Sequence, residues 1–162
     1  MIKILFICLG NICRSPMAEY YMRFLCEKRG LSRLISTSSA GTSGEEEGNF
    51  VHPGTGRILS SLGVDYSDKR ASKMTREDLS SSDFIVCMDG YNVRAVSRFA
   101  KSYGEDFYDE IKDKIFLMSN FYGSNSDVAD PWYTGDFDST FRDVRRGCEG
   151  ILEYLKSNGK LK

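Results

Sequence analysis

Residues Ile2–Cys8 form a near-continuous apolar run that breaks directly into Leu9-Gly10-Asn11. A run this short and this uniformly apolar suits a β-strand covered on both faces. Phe84–Met88 repeats the pattern, and Leu34–Ser39 and Lys114–Met118 supply two more β-type runs. Helix-like segments separate them. Ser15-Pro16 reads as an N-cap followed by proline at the first helical position. Met17, Tyr20, Tyr21, Phe24 and Leu25 follow at helical spacing, and Gly30 ends that segment. A second helix is expected over Thr55–Leu62. A short one follows Thr75, where Thr75-x-x-Asp78 resembles a capping box, and another begins after Asp89. Phe137, Phe141, Val144, Cys148, Ile151, Leu152 and Leu155 mark the apolar stripe of a last helix, stopped by Asn158-Gly159. Strands alternating with helices predict an α/β fold with a parallel sheet, and no repeat or linker divides residues 1–162 into more than a single domain.

The balance of 22 basic against 23 acidic residues gives no long-range attraction to nucleic acid or anionic lipid. No apolar run reaches the ~20 residues of a membrane span, and the first seven residues are too short for a signal peptide. Five scattered cysteines without a C-x-x-C pair, and one histidine, make a poor disulfide framework and a poor zinc site. The expectation is a reduced, cytoplasmic protein without a metal, a nucleic-acid partner or a membrane. Two irregular stretches, Gly41–Gly54 and Ser119–Asp136, each follow a strand. In a parallel sheet they emerge at the carboxyl rim, where open α/β folds place their ligands.

The first strand ends in Cys8-Leu9-Gly10-Asn11-Ile12-Cys13-Arg14-Ser15-Pro16. A Cys-x5-Arg-Ser loop between a strand and a helix is an anion cradle. Successive backbone N–H groups turn inward, and the helix points its positive end at the same spot. Gly10 and Asn11 tolerate the backbone angles such a turn needs. Arg14 offers a planar fork for two phosphate oxygens. The field that holds an anion also favours the thiolate of Cys8, which then lies beside a bound phosphoryl group as a nucleophile. Ser15 can donate a hydrogen bond to that sulfur. A proton donor for the leaving oxygen is still needed. Asp130 is the candidate, on a rim loop and biased to extended backbone by Pro131, with Trp132 and Tyr133 beside it to line an apolar slot. Taken singly, each residue has an ordinary explanation: a strand-end thiol, a surface cation, a turn. Their order between a strand and a proline-started helix does not.

Cys8 to Ala18 resembles the signature loop of the low-molecular-weight protein tyrosine phosphatases. Further matches are Ser38–Thr42, Thr75–Asp78, Phe84–Asp89, Asp130-Pro131-Trp132-Tyr133 and Phe141. The resemblance implies a three-layer domain whose four-stranded parallel sheet runs in the order 2-1-3-4 between helices. It implies hydrolysis of phosphotyrosine and small aryl phosphates through a phosphocysteine intermediate, with no cofactor. Cys8 would be the nucleophile, Arg14 the phosphate ligand and Asp130 the general acid and then base. Leu9, Gly10, Asn11, Ile12, Cys13 and Ser15 would form the phosphate loop, and Asn11, Ser15 and Ser39 the network that holds it open. Leu9, Glu45, Trp132 and Tyr133 would wall the substrate. Cys13 would be a redox partner that protects Cys8. Partners would be phosphotyrosine proteins or peptides, with phosphate, sulfate or vanadate as active-site anions, and the protein would be a monomer.

Two departures stand out. A wall position often aromatic in the family is Glu45, within Glu45-Glu46-Glu47, and three acids there should repel acidic peptides. A supporting histidine of many relatives appears as Lys69. His52, before Pro53, reads as a surface residue. Alternatives are an arsenate reductase, which lacks its relay pair because Cys87 has no near partner, and a protein-arginine phosphatase, against which apolar Ile12 counts. A non-catalytic phosphopeptide-binding module would not need both Cys8 and Asp130, and a phosphocarrier would have little use for Arg14 with Asp130.

Overall fold

The computed structural model describes residues 1–161. Its sheet has four parallel strands, β1 (Ile2–Cys8), β2 (Ile35–Gly41), β3 (Phe84–Cys87) and β4 (Ile115–Leu117), in the order β2-β1-β3-β4. The helices are α1 (Arg14–Lys28), α2 (Pro53–Ser61), α3 (Arg76–Ser81), α4 (Gly90–Lys101), α5 (Glu105–Ile111), α6 (Pro131–Thr134) and α7 (Phe137–Ser157). Alternate residues of the central strands serve opposite layers, as the pleat requires. Ile4, Phe6, Phe84 and Val86 pack with Met17 and Met22 of α1 and with Val144 and Ile151 of α7. Leu5, Ile7 and Ile85 pack with Leu79 of α3, Val96 and Ala100 of α4, and Phe107 and Ile111 of α5. Both faces of β3, and of β1 from Ile4 on, are therefore dry, which is why these runs are apolar at every position there.

The sequence pattern and the structure differ in places. β2 runs to Gly41, because Ala40 and Gly41 still pair with Ile7 and Cys8. A Cβ at Gly41 would stand 2.8 Å from the Leu9 carbonyl oxygen, so only glycine lets β2 approach the loop after β1 this closely. β4 keeps only three residues at the edge of the sheet. α5 gives no extended apolar stripe in the sequence, since only Phe107, Ile111 and the half-buried Tyr108 of its seven residues pack on the core. Ser15 is not the N-cap of α1: the helix already includes Arg14, and the Ser15 hydroxyl serves other partners. The Thr75–Asp78 capping box is present, with both reciprocal bonds.

The stretch from Ser119 to Asp136 is less loop-like than expected. A 3₁₀ turn, Met118–Tyr122, opens it, and α6 interrupts it. α7 lies hard against that turn. A Cβ on Gly147 would overlap the Met118 side chain, and one on Gly150 would overlap the Phe121 carbonyl. These two glycines let the long helix anchor the segment that crosses the carboxyl rim of the sheet.

Candidate active site

β1 delivers Cys8 to that rim, where the chain turns back into α1. The turn is shaped by what its carbonyls do. Thr42 and Ser43 N–H donate to the carbonyls of Cys8 and Leu9 at 2.9 and 3.0 Å, and His52 N–H donates to that of Ile12 at 2.9 Å. The Thr55 hydroxyl donates to the Cys13 carbonyl at 2.9 Å. With the carbonyls drawn outward, the amides face inward. Among the described residues no protein acceptor takes the N–H of Gly10, Ile12 or Cys13. Asn11 holds the left-handed conformation at φ 59°, the one non-glycine residue described that does so. A ring of inward amides at the start of a helix is an oxyanion receptor.

Cys8 Sγ lies at the bottom of this receptor. The Asn11 N–H donates to it at 3.3 Å, and the Ser15 hydroxyl lies 3.0 Å away. Arg14 is buried and closes the ring. Its Nη1 donates to Asp89 Oδ2 at 2.7 Å and to the Val128 carbonyl at 2.9 Å. Its Nη2 is 3.4 Å from Asp130 Oδ2, longer than an ordinary charge-assisted bond, so that nitrogen remains available to a phosphoryl oxygen. Burial opposes the guanidinium charge, but Cys8, Asp89 and Asp130 outweigh it and hold the Arg14 pKa above its usual value. Burial, with the charges of Cys8 and Asp130 beside it, pushes the Cys13 thiol up to about 12.

Asp130 reaches the cavity on the far segment. The Val128 N–H donates to the Met88 carbonyl at 2.8 Å, which prolongs β3's pairing edge. The Thr140 hydroxyl of α7 donates to the Ala129 carbonyl at 3.0 Å. Asp130 itself is extended before Pro131 and caps α6, its Oδ1 accepting the Trp132 N–H at 3.1 Å. Its other oxygen faces Arg14.

A cavity of about 170 Å³ collects these groups. Cys8, Leu9, Gly10, Ile12, Cys13 and Arg14 line its floor and near side. Glu45, Asp130, Trp132 and Tyr133 line the rest, together with Ser43 and Glu46. Glu47 does not join them: its carboxylate turns away to accept the Lys73 N–H at 2.7 Å, so two acids rather than three face the opening. His52 is not a free surface residue either. Its Nδ1 caps α2 by accepting the Gly54 N–H at 3.0 Å, while its ring stacks on Phe137 at 4.9 Å and meets Trp132 edge-on at 5.7 Å. It ties the aromatic wall to α2 and α7.

Asn11, Ser15 and Ser39 lie behind the loop as a connected chain. Asn11 Nδ2 donates to Ser15 Oγ at 2.8 Å and to Ser39 Oγ at 2.9 Å, and its Oδ1 accepts the Ser72 N–H at 3.0 Å. The chain continues into a residue that the sequence reading missed. The Ser39 hydroxyl donates to Glu19 Oε1 at 2.6 Å, and Glu19 is buried. Lys69 and Arg23 supply its counter-charges at 3.3 and 2.9 Å, and Lys69 also donates to the Ser39 carbonyl at 3.0 Å. Asp89 was missed as well. A carboxylate four residues before Arg23 on the first helix, and an aspartate just past a strand's carboxyl end, were the available signals. Among the described residues no group of three His, Cys, Asp or Glu side chains could hold a metal ion.

The profile of the family described as low molecular weight phosphotyrosine protein phosphatase matches residues 3–161. The chain is 36% identical over 165 residues to the Bacillus subtilis low molecular weight protein-tyrosine-phosphatase YfkJ, covering 99% of this chain and 100% of that protein. It is 35% identical to PtpA, so named, of Staphylococcus epidermidis, covering 100% and 99%. The crystal structure of YfkJ superposes with a TM-score of 0.87 at 35% identity, over 98% of this chain and 96% of that one. That of SP-PTP from Streptococcus pyogenes gives 0.80 at 36%, over 96% and 93%.

Proposed function

The chain belongs to the low molecular weight phosphotyrosine protein phosphatase family, and from that premise we propose how its own residues carry out phosphotyrosine hydrolysis. The observation that carries the reading is the convergence of Cys8, Arg14 and Asp130 on one small cavity floored by inward amides. The phosphoryl oxygens of an aryl phosphate take the amides of the loop and Arg14 Nη2. Cys8 Sγ attacks phosphorus, and the bond to the phenolic oxygen breaks. Asp130 gives its proton to that oxygen as the phenol leaves. The phosphocysteine is then opened by a water that Asp130 deprotonates, releasing phosphate, and the Ser15 hydroxyl stabilises the departing sulfur anion. Arg14 stabilises the charge spread over the equatorial oxygens in both steps.

Trp132, Tyr133 and Leu9 present apolar surface suited to the phenyl ring, with Glu45 opposite. Ile12 supports phosphotyrosine over phosphoarginine, and the retention of both nucleophile and acid supports turnover over mere binding. Phosphate, sulfate and vanadate are competing occupants of the loop. Hydrolysis of p-nitrophenyl phosphate and of phosphotyrosine peptides, inhibited by vanadate, tests the assignment. Cys8→Ser should lower kcat by at least about 10³-fold, and a variant as active as the natural protein overturns it.

A thiol switch belongs to the same reading. Peroxide converts Cys8 to a sulfenic acid, and Cys13 then forms a disulfide with it as water leaves. Thiol should restore activity after peroxide treatment of the natural protein, and not after treatment of Cys13→Ser. Among the described residues no helix is long and apolar enough to cross a membrane. The five free thiols support a reducing, cytoplasmic setting, and a monomer would leave the cavity mouth open to protein substrates.

A further inference from the structure

The cavity over Cys8 borders another. Across a shared wall of Leu9, Arg14, Asp130 and Tyr133 lies a cavity of about 550 Å³, three times the volume of the first. That size falls within the range of ligand-binding clefts. A phosphotyrosine whose phosphate rests over Cys8 must leave its polypeptide at the mouth, and this is the larger space beside it. Apolar groups make up much of its exposed wall: Tyr91 and Ala95 of α4, Val128 and Ala129 before α6, and Leu9 and Tyr133, which it shares with the catalytic cavity. Among the described residues nine large apolar side chains are left exposed, and Leu9, Tyr91, Trp132 and Tyr133 among them ring these two cavities. Exposed apolar groups gathered in one place mark a binding surface.

The charged groups around the two cavities differ. Asp89 is committed to Arg14 and to the first turn of α4, and Asp127 accepts the Gly90 N–H at the start of that helix. Arg98, one turn beyond Ala95, has no carboxylate partner among the described residues. Glu45 and Glu46, which line the catalytic cavity and not this one, likewise lack a cationic partner. A substrate chain crossing the mouth therefore meets Arg98 without an ion pair on the α4 side, where Asp127 is held by the Gly90 N–H, and meets only acids, Glu45 and Glu46, beside the catalytic cavity.

We propose that the cavity beneath α4 is a specificity subsite for the substrate polypeptide. It takes an apolar side chain adjacent to the phosphotyrosine, with an acidic residue next to it paired to Arg98. This rests on the phosphatase reading above and adds which flanking sequence the site selects. The test is kcat/KM over a set of phosphotyrosine peptides that carry Leu-Glu, Leu-Lys or Ala-Ala on either flank. Each value is divided by that for p-nitrophenyl phosphate in the same preparation. The natural protein should favour Leu-Glu over Ala-Ala on one flank by about tenfold, the discrimination an apolar pocket supplies. Arg98→Glu, on an exposed position, should reverse the order of Leu-Glu and Leu-Lys. Ala95→Leu, which fills the cavity, should abolish the advantage of leucine over alanine. Equal ratios across the set, or a preference that survives both substitutions, overturn the subsite. A natural protein that leaves p-nitrophenyl phosphate intact overturns the phosphatase reading itself, a separate failure.

Discussion

The loop from Cys8 to Ser15 and the segment from Val128 to Thr134 face each other across one cavity, and they are held in opposite ways. The loop is bonded on nearly every side. Its carbonyls are fixed by Thr42, Ser43, His52 and Thr55, and its Asn11 is fixed by Ser15, Ser39 and Ser72. The segment carrying Asp130 hangs from a few points: Val128 on Met88 and Arg14, and Ala129 on Thr140. Trp132 and Tyr133 beyond it are exposed. The place of Cys8, the proposed nucleophile, is over-determined, and that of Asp130, the proposed acid, rests on fewer contacts. A receptor for a charged transition state must be rigid before the substrate arrives. An acid that serves first the leaving group and then water tolerates a looser mount.

That contrast predicts effects of different kinds. Asp130→Asn should cost the most, about 10²–10³-fold in kcat for phosphotyrosine. It should cost far less for p-nitrophenyl phosphate, whose leaving oxygen hardly needs a proton. Equal losses on both esters would show that Asp130 is not the acid. Asn11→Ala strikes the bonded side. It removes the amide that ties Ser15 to Ser39 and leaves buried hydroxyls short of a partner, so unfolding should become easier by about 1–3 kcal/mol while kcat also falls. Denaturant midpoints beside kinetics check this, and a variant that loses activity with unchanged stability would break the contrast drawn here.

The smallest effect concerns pH. Burial holds the thiols of Cys13 and Cys26 at about 12 and about 11, and raises those of Cys87 and Cys148 as well. Their folded values exceed the usual 9.0, so the stability this contributes is complete below pH 9 and is lost as pH climbs toward 11 and 12. Tm should be flat with respect to these groups up to pH 9 and fall above it. Replacing Cys26 with alanine should make the fall shallower between about pH 9 and 11, the range in which its thiol ionises unfolded but not folded. An identical alkaline profile would remove Cys26 from the account.

Much of this molecule is legible in its sequence wherever the cause is local. The run Ile2–Cys8, the glycine and asparagine after it, and an arginine six residues beyond the cysteine are joined by short-range geometry, so a reader of the chain can place an anion over the sulfur. The alternation of strands with helices and the Thr75 cap follow from equally local signals, whereas the sheet order is implied by the family resemblance alone. What the chain does not announce is decided by partners far apart in it. Arg14 finds Asp89 and Asp130 across separations of 75 and 116 residues, and Ser39 finds Glu19 across 20. Ser15 lies between the two: the chain reads it both as a helix cap and as a donor to Cys8, and the folded loop keeps it with Cys8 and Asn11 rather than as the cap. The cavity beneath α4 is likewise written nowhere in the linear pattern, because its walls come from β1's loop, α4 and the segment before α6. Local backbone preference acts through neighbours in sequence and can be read there. Charge pairing and enclosed volume depend on which surfaces the folded sheet brings together.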